Sequence, residues 1–315
     1  MTKQEKTPKV GVALLAYNQG QYVDDAIESL KKQTFQDFEV FLLDDGSDDG
    51  VTPKKLEEVE YDKITKKFLY KERVGNAKRR SGQYKKMQNE YILDFCGDDV
   101  LAPDFLEKTV AFLEKNHDYG AVSVNIKIFD DDIKNSYSEK RFDPKKMNLQ
   151  TVLARNQILG SSLMRKKALD ETDLSGGFTR YQDWDRWISM MEAGWKIGLV
   201  PEFLFYYRQV PTSLSHSASV ADELDIRKKI LKKHAKSYSK YYSEVIVDIE
   251  QAFLEIQEGK NWLEGQYNNM DKKIKRLNSI VEDLEKTNVE LRTELAKKHR
   301  VKRLVKRLIV KKEGK

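Results

Sequence analysis

Three short runs of this chain bring side chains suited to polar chemistry to the ends of apolar segments. The run VGVALLA stops at Tyr17-Asn18, FEVFLL stops at Asp44-Asp45-Gly46-Ser47, and YILDF stops, after Cys96-Gly97, at Asp98-Asp99. A tyrosine can stack on a ring or pack in a core. Paired carboxylates do not bind phosphate directly, but they reach it through a hard divalent cation, which oxygen ligands suit. Asp44-Asp45-Gly46-Ser47 also has the composition of an ordinary turn. Asp98-Asp99 would also suit the start of a helix near Pro103. Two adjacent acids at an apolar strand end nevertheless repel each other unless a cation lies between them.

The elements that must position these residues read as strand–helix alternation. Strands are expected at 10–16, 38–43, 64–70, 91–95 and 121–129, with helices at 23–33, across the polar stretch 76–89, and from Pro103 to about 116. This spacing argues for an open α/β sheet, mainly parallel. In such sheets ligands bind beyond the carboxyl ends of the strands, so Tyr17, Asp44-Asp45 and Asp98-Asp99 would share one edge. Neither GxGxxG nor GxxxxGK[ST] occurs, which disfavours dinucleotide oxidoreductases and P-loop enzymes. Beyond 150 the pattern is less regular. It gives a strand around 157–164, a helix near 183–193 carrying Trp184, Trp187, Ile188 and Met191, and an extended run to 208. Asp183 and Asp185 both fall at the start of that helix, and spacing alone does not choose between them.

The first 217 residues form one α/β unit on this reading, 218–296 a helical region and 297–315 a basic tail. From Ile246 to Leu295 a 3,4 spacing runs through fifteen positions, broken by polar side chains only at Lys260 and Asn288. That period signals a coiled coil, and a seam asparagine fixes register and favours a dimer. A helical hairpin folded back on the α/β unit is the alternative. The net charge of +6 conceals an uneven distribution: 297–315 alone carry ten Lys/Arg and one acid, leaving a mildly acidic body. Val301, Leu304, Val305, Leu308 and Ile309 share one face of the tail, making it a basic amphipathic helix suited to an anionic membrane surface. Nucleic-acid binding or a solvated terminus are the other readings. Cys96 is the only cysteine, so an intrachain disulfide and a cysteine-built zinc site are excluded, in keeping with a reducing cytosol. The N-terminal MTKQEKTPKV lacks the apolar core of a secretory signal, and no apolar stretch is long enough to span a bilayer.

The segments VGVALLAYNQGQYVDDAIESLKKQTFQDFEVFLLDDGSDDG and EYILDFCGDDVLAPDFLEK resemble the nucleotide-sugar half of a glycosyltransferase family 2 enzyme. GGFTRYQDWDRWISMMEAGWKIGLVPEFLFYYRQVPTSLS resembles that family's acceptor half. The resemblance implies a GT-A (Rossmann-like) catalytic domain and an inverting transfer of sugar from a nucleoside diphosphate sugar. It assigns Tyr17 to the nucleobase, Asp45 to an imide N–H of uracil or thymine, and Arg80 to the nucleotide side. Asp98 and Asp99 match the metal-binding motif, with Mn2+ or Mg2+ as the cofactor, and Asp183 matches the catalytic base. Cys96 stands where the family often has aspartate, Gln182 where glutamate is common, and Val210 where histidine is frequent, with His216 nearby. The implied donor is a UDP-sugar, or else a dTDP-sugar. The implied acceptor is a hydroxyl of a lipid-linked cell-surface glycan, which together with the tail places the enzyme in the cytoplasm on the inner membrane face, with no role for nucleic acid. The competing readings are a sugar nucleotidyltransferase, which would carry a Gly-rich basic N-terminal loop, and a non-catalytic coiled-coil scaffold.

Overall fold

A computed structural model describes residues 7–130, 132–174, 177–178, 180–209 and 219–312, with side chains as far as Lys297 except at 76, 77, 220, 284, 288, 291 and 294–296. Val210 and His216 lie outside the described residues, as do the side chains of the late seam residues Leu284, Asn288, Leu291 and Leu295 and those of the tail beyond Lys297.

Strand β1 (Val10–Ala16) is apolar or glycine throughout and buried along its whole length, as an interior strand flanked on both sides is. It pairs in parallel with β2 (Phe38–Asp45) on one side and with β4 (Tyr91–Cys96) on the other. Strand β3 (Ile64–Tyr70) extends the sheet beyond β2 and exposes Lys66 and Lys67, as an edge strand does. Helix α1 (Val23–Lys31) buries Val23, Ala26, Ile27 and Leu30, the face its spacing predicts. Helix α2 (Thr52–Glu58) has no clear apolar period and escapes the sequence reading. It is started by Pro53 and by Asp49, whose carboxylate accepts from Thr52 N at 2.8 Å and Thr52 Oγ1 at 2.6 Å. Helix α3 (Asn76–Tyr84) ends five residues before the expected limit, where Lys86 N turns back to Gln83 O.

The second half of the sheet is mixed. After β5 (Val100–Leu101) and helix α4 (Phe105–Lys115), the long strand β6 (Tyr119–Phe129) pairs with the short β7 (Ser138–Lys140). Helix α5 (Leu149–Ala154) follows, N-capped by Asn148. The strand expected at 157–164 is only β8 (Leu163–Arg165), because Asn156 Oδ1 takes Ile158 N into a local turn. It lies antiparallel between β4 and β6, joining the parallel half to the rest. After the short α6 (Lys166–Asp170) come α7 (Gln182–Glu192) and β9 (Lys196–Arg208), which runs parallel to β6 and antiparallel to β5. The strand order is β3-β2-β1-β4-β8-β6-β9-β5, a mixed α/β sheet of the GT-A type.

The compact unit runs to Ile249 and takes in α8 (Val220–Lys233) and α9 (Ala235–Lys240), past the change of sequence character near 217. Ile226, Ile230, His234 and Val245 are buried in it. Helix α10 (Tyr242–Lys312) continues unbroken for 71 residues through Gly259 and Gly265, and its part from Glu250 is a separate unit. A hairpin within 250–312 is therefore absent. No helix among the described residues is long and apolar enough to cross a membrane.

Candidate active site

The register of the central strands fixes which residues leave the sheet together. Ala16 lies opposite Asp44, and Leu15 opposite Cys96, so Tyr17, Asp45 and Gly97-Asp98-Asp99 emerge at one edge. Two local devices hold this edge. Asn18 adopts a left-handed φ of 53°, which asparagine tolerates, and exchanges two hydrogen bonds with Asp48, donating to Oδ1 at 2.7 Å and accepting from N at 3.0 Å. Ser47 Oγ accepts from Asn18 N and donates to Asp44 Oδ1 at 2.6 Å. Gly46, at φ 75°, passes so near the backbone of 72–73 that a Cβ would lie 2.6 Å from it, so only glycine fits.

Asp98 and Asp99 stand beside Cys96, with one ligand atom of each residue within 4.8 Å of the others. Asp99 is buried, and its Oδ1 accepts from Arg208 N at 3.0 Å. Arg208 also reaches Asp98 O through Nε at 2.9 Å and Asp25 through Nη2 at 2.6 Å, locking the acidic turn to β9 and α1. Burial raises the Asp98 carboxyl above its ordinary range. Burial and the charge of Asp98 together push Asp99 well above it. The same burial lifts the Cys96 thiol to about 12, so it stays neutral and accepts a hydrogen bond from Arg80 Nη2 at 3.1 Å. Two converging carboxylates held against their own repulsion fit a divalent cation, while the neutral thiol, engaged by Arg80, is not a ligand suited to Mn2+ or Mg2+.

On the nucleotide side, Asp45 is fully buried and already accepts from Val74 N at 3.1 Å, Gly75 N at 2.8 Å and Arg79 Nε at 2.9 Å. The guanidinium of Arg73 lies 4.1 Å from the centre of the Tyr17 ring, and that of Arg79 lies 3.4 Å from the Tyr70 ring. Segment 71–75 thus rests on both groups that the sequence assigns to a base. Arg80 turns inward. Its Nε pairs with Asp94 Oδ1 at 2.8 Å, and Asp94 also pairs with Arg186 Nη1 at 3.1 Å. One buried carboxylate between two guanidiniums therefore ties α3 to α7. A cavity of about 670 Å3 opens between these helices and residues 169–174 with 177–178, lined by Lys78, Arg80, Tyr84, Phe178, Gln182 and Arg186 among others.

Helix α7 starts behind Tyr181, a non-glycine residue at φ 54°. The two acids that spacing could not separate have different surroundings. Asp183 is partly exposed; its Oδ2 accepts from Asn156 Nδ2 at 2.8 Å, and a Cβ at Gly160 would stand 3.3 Å from the same atom. Asp185 is buried, receiving Lys233 Nζ at 2.9 Å and His234 Nε2 at 2.8 Å, while His234 Nδ1 faces Glu192 at 2.8 Å. Trp184 and Trp187 are core residues. Sequence reasoning missed Arg186, Arg208, Asn156 and His234. The only hint was Arg186, a charge set among tryptophans three residues after Asp183.

Residues 12–173 match the profile of Glycosyl transferase family 2. An uncharacterized glycosyltransferase of Methanocaldococcus jannaschii is 26% identical over 219 residues, covering 66% of this chain and 73% of that protein. One from Haemophilus influenzae is 33% identical over 125 residues, 39% of this chain and 38% of its own. Among solved structures, S. aureus TarS 1-349 in complex with UDP superposes with a TM-score of 0.56 at 17% identity, over 76% of this chain and 70% of that one. The mannosyltransferase PcManGT of Pyrobaculum calidifontis, in complex with GDP-Man and Mn2+, superposes with a TM-score of 0.52 at 15% identity, over 81% and 76%.

Proposed function

The chain belongs to glycosyl transferase family 2 and is a glycosyltransferase, and from that premise we propose that it moves a sugar, with inversion, from a UDP-sugar or dTDP-sugar to a hydroxyl of a lipid-linked cell-surface glycan. The observation that carries this reading is the convergence of Tyr17, Asp45, Asp98 and Asp99 on one sheet edge, with both late acids raised in pKa by their setting. TarS structures with UDP and UDP-GlcNAc, and PcManGT with GDP-Man and Mn2+, support a nucleoside diphosphate sugar as donor and a divalent cation as cofactor.

Tyr17 stacks on the pyrimidine and Asp45 accepts its imide N–H. Three donors leave that carboxylate with acceptor capacity to spare. Arg80 serves the nucleotide side from behind, its guanidinium paired with Asp94 and donating to Cys96 next to the acidic turn. Asp98 and Asp99 hold Mn2+ or Mg2+, with Asp98 also facing the donor. Bound there, the cation offsets the charge that gathers on the departing diphosphate. Asp183 takes the proton of the attacking hydroxyl, and Asn156 keeps one of its oxygens fixed while it does so. Asp185, consumed by Lys233 and His234, has no such freedom. The catalytic, helical and basic regions at 1–217, 218–296 and 297–315 divide the work, the last holding the enzyme at the anionic inner face of the membrane where its acceptor lies.

The test is a donor screen that follows nucleoside diphosphate release, with and without Mn2+ or Mg2+. Metal-dependent release from a UDP- or dTDP-sugar is expected. Release from neither, alongside turnover of a different nucleotide sugar, overturns the base assignment.

A further inference from the structure

Past Ile249, helix α10 carries an apolar stripe that nothing among the described residues covers. Phe253, Ile256, Leu263, Tyr267, Met270, Ile274, Leu277 and Val281 are each at least half exposed, and they are the successive seam positions of the heptad apart from Lys260. A lone amphipathic helix in water would bring polar groups all round or bury its stripe. An unbroken helix of 71 residues cannot fold back to cover its own stripe. We infer that the occupant is a second copy of this chain, paired with it in parallel and in register through 253–295.

Three features select that partner and that orientation. First, the alternate seam positions differ in kind. In the later heptads Ile274 and Val281 are β-branched and stand at the a positions, while Leu277 and, by spacing, positions 284 and 291 put leucine at d; the earlier a positions of this span are Phe253, Lys260 and Tyr267. That combination favours two parallel strands over three or four. Second, position 288 places an asparagine at a. A parallel pair in register sets it opposite its own copy, where two amides satisfy each other. An antiparallel pair, or one slipped by a heptad, sets it against an apolar residue. Third, the flanking charges are lopsided. The e positions hold Glu250, Gln257, Glu264, Asp271, Asn278, Glu285 and Arg292, whereas the g positions hold Ala252, Gly259, Gln266, Lys273, Ile280, Thr287 and Glu294. Antiparallel helices bring e against e and so, for four of the seven e residues, acid against acid, while parallel helices bring the e positions 257–292 against the g positions 252–287, which are neutral or basic. Glu264 and Asp271 already pair within their own helix, with Lys260 and Lys275, so no cation of the partner is needed to satisfy them.

The test uses the full-length chain at micromolar concentration. Sedimentation equilibrium is expected to give twice the 36.8 kDa chain mass. Ile274→Glu combined with Leu277→Glu is expected to return it to one chain mass without loss of sugar transfer to a soluble acceptor. Orientation is read from Val281→Cys, which puts a thiol at an a position. Mild oxidation should link two chains at this site, and the unsubstituted protein, whose only cysteine is Cys96, is the control. A monomer in the unsubstituted protein overturns the inference. So does a larger assembly, or a dimer that survives the double glutamate change. A dimer in which Val281→Cys fails to cross-link overturns the parallel register.

Discussion

Replacing His234 with alanine removes two charge-assisted hydrogen bonds from a nearly dry site. The ring is 2% exposed, with Nε2 at 2.8 Å from Asp185 and Nδ1 at 2.8 Å from Glu192. Only the protonated imidazole can donate to both carboxylates. Burial pulls its pKa down, but the bonds to Asp185 and Glu192 outweigh this and leave it raised. A hydrogen bond to a charged group contributes about 1.5–3 kcal/mol, which applies in full to the buried Asp185. Glu192 is partly exposed and keeps Ser237, so its bond counts for nearer ~0.5–1 kcal/mol. The loss is then about 2–4 kcal/mol, or a fall in melting midpoint of roughly 5–15 °C for a unit of this size. The pH dependence has a definite sign. A histidine raised in the folded state contributes fully below its unfolded value of about 6.5, and that contribution disappears as pH climbs through the folded value. Thermal scans from about pH 6 to about pH 9 should therefore show the wild-type midpoint descending toward that of His234→Ala, whose own curve stays flat in this window. His234→Gln, which can touch both carboxylates without charge, should also be flat. Coincident wild-type and variant midpoints, or parallel pH curves, would refute the clamp.

Asp98→Ala and Asp99→Ala should each nearly abolish transfer and erase the rise in melting midpoint produced by Mn2+, read by calorimetry. Because both carboxyls are raised, the cation-free fold loses stability as pH rises from their unfolded value of about 4 through the folded one, so the midpoint gain from Mn2+ should grow across that interval. Asp183→Asn should leave donor affinity near normal while transfer falls by a factor on the order of 10² or more. Asp185→Asn should instead lower the melting midpoint, and the opposite pattern exchanges the two roles. A chain ending at residue 296 should keep transfer to a water-soluble acceptor but lose binding to anionic vesicles. For the full chain, vesicle binding should weaken as salt shortens the Debye length, and a salt-independent interaction would exclude electrostatic docking.

The sequence made the first half of the fold readable because β1, β2 and β4 are largely apolar runs closed by a polar, acidic or glycine-containing turn, and parallel pairing buries such runs on both faces. The second half resisted. Strand β8 is three residues long, and its role as the antiparallel joint between β4 and β6 leaves no local periodicity. The acids of the site were visible because strand ends announce them. The arginines were not: Arg186 and Arg208 act across 92 and 109 residues of chain, on Asp94 and Asp99, and no spacing encodes such pairings. Asp183 and Asp185 looked equivalent for the same reason, since what distinguishes them is His234 and Lys233, far along the sequence.

The resting place of Arg73 has an energetic corollary. With its guanidinium 4.1 Å from the Tyr17 ring, that face is not bare aromatic surface waiting in water. A base arriving there exchanges one stacking partner for another, and its gain is the difference between two contacts. A cation over an aromatic ring contributes about 0.5–1 kcal/mol at an exposed site, and this is what the newcomer must outbid. Arg73 is followed directly by Val74 and Gly75, whose backbone N–H groups donate to Asp45. Tyr17 and Asp45 thus lie under one short segment, and a base that stacks on the first meets a carboxylate already ordered by its neighbours.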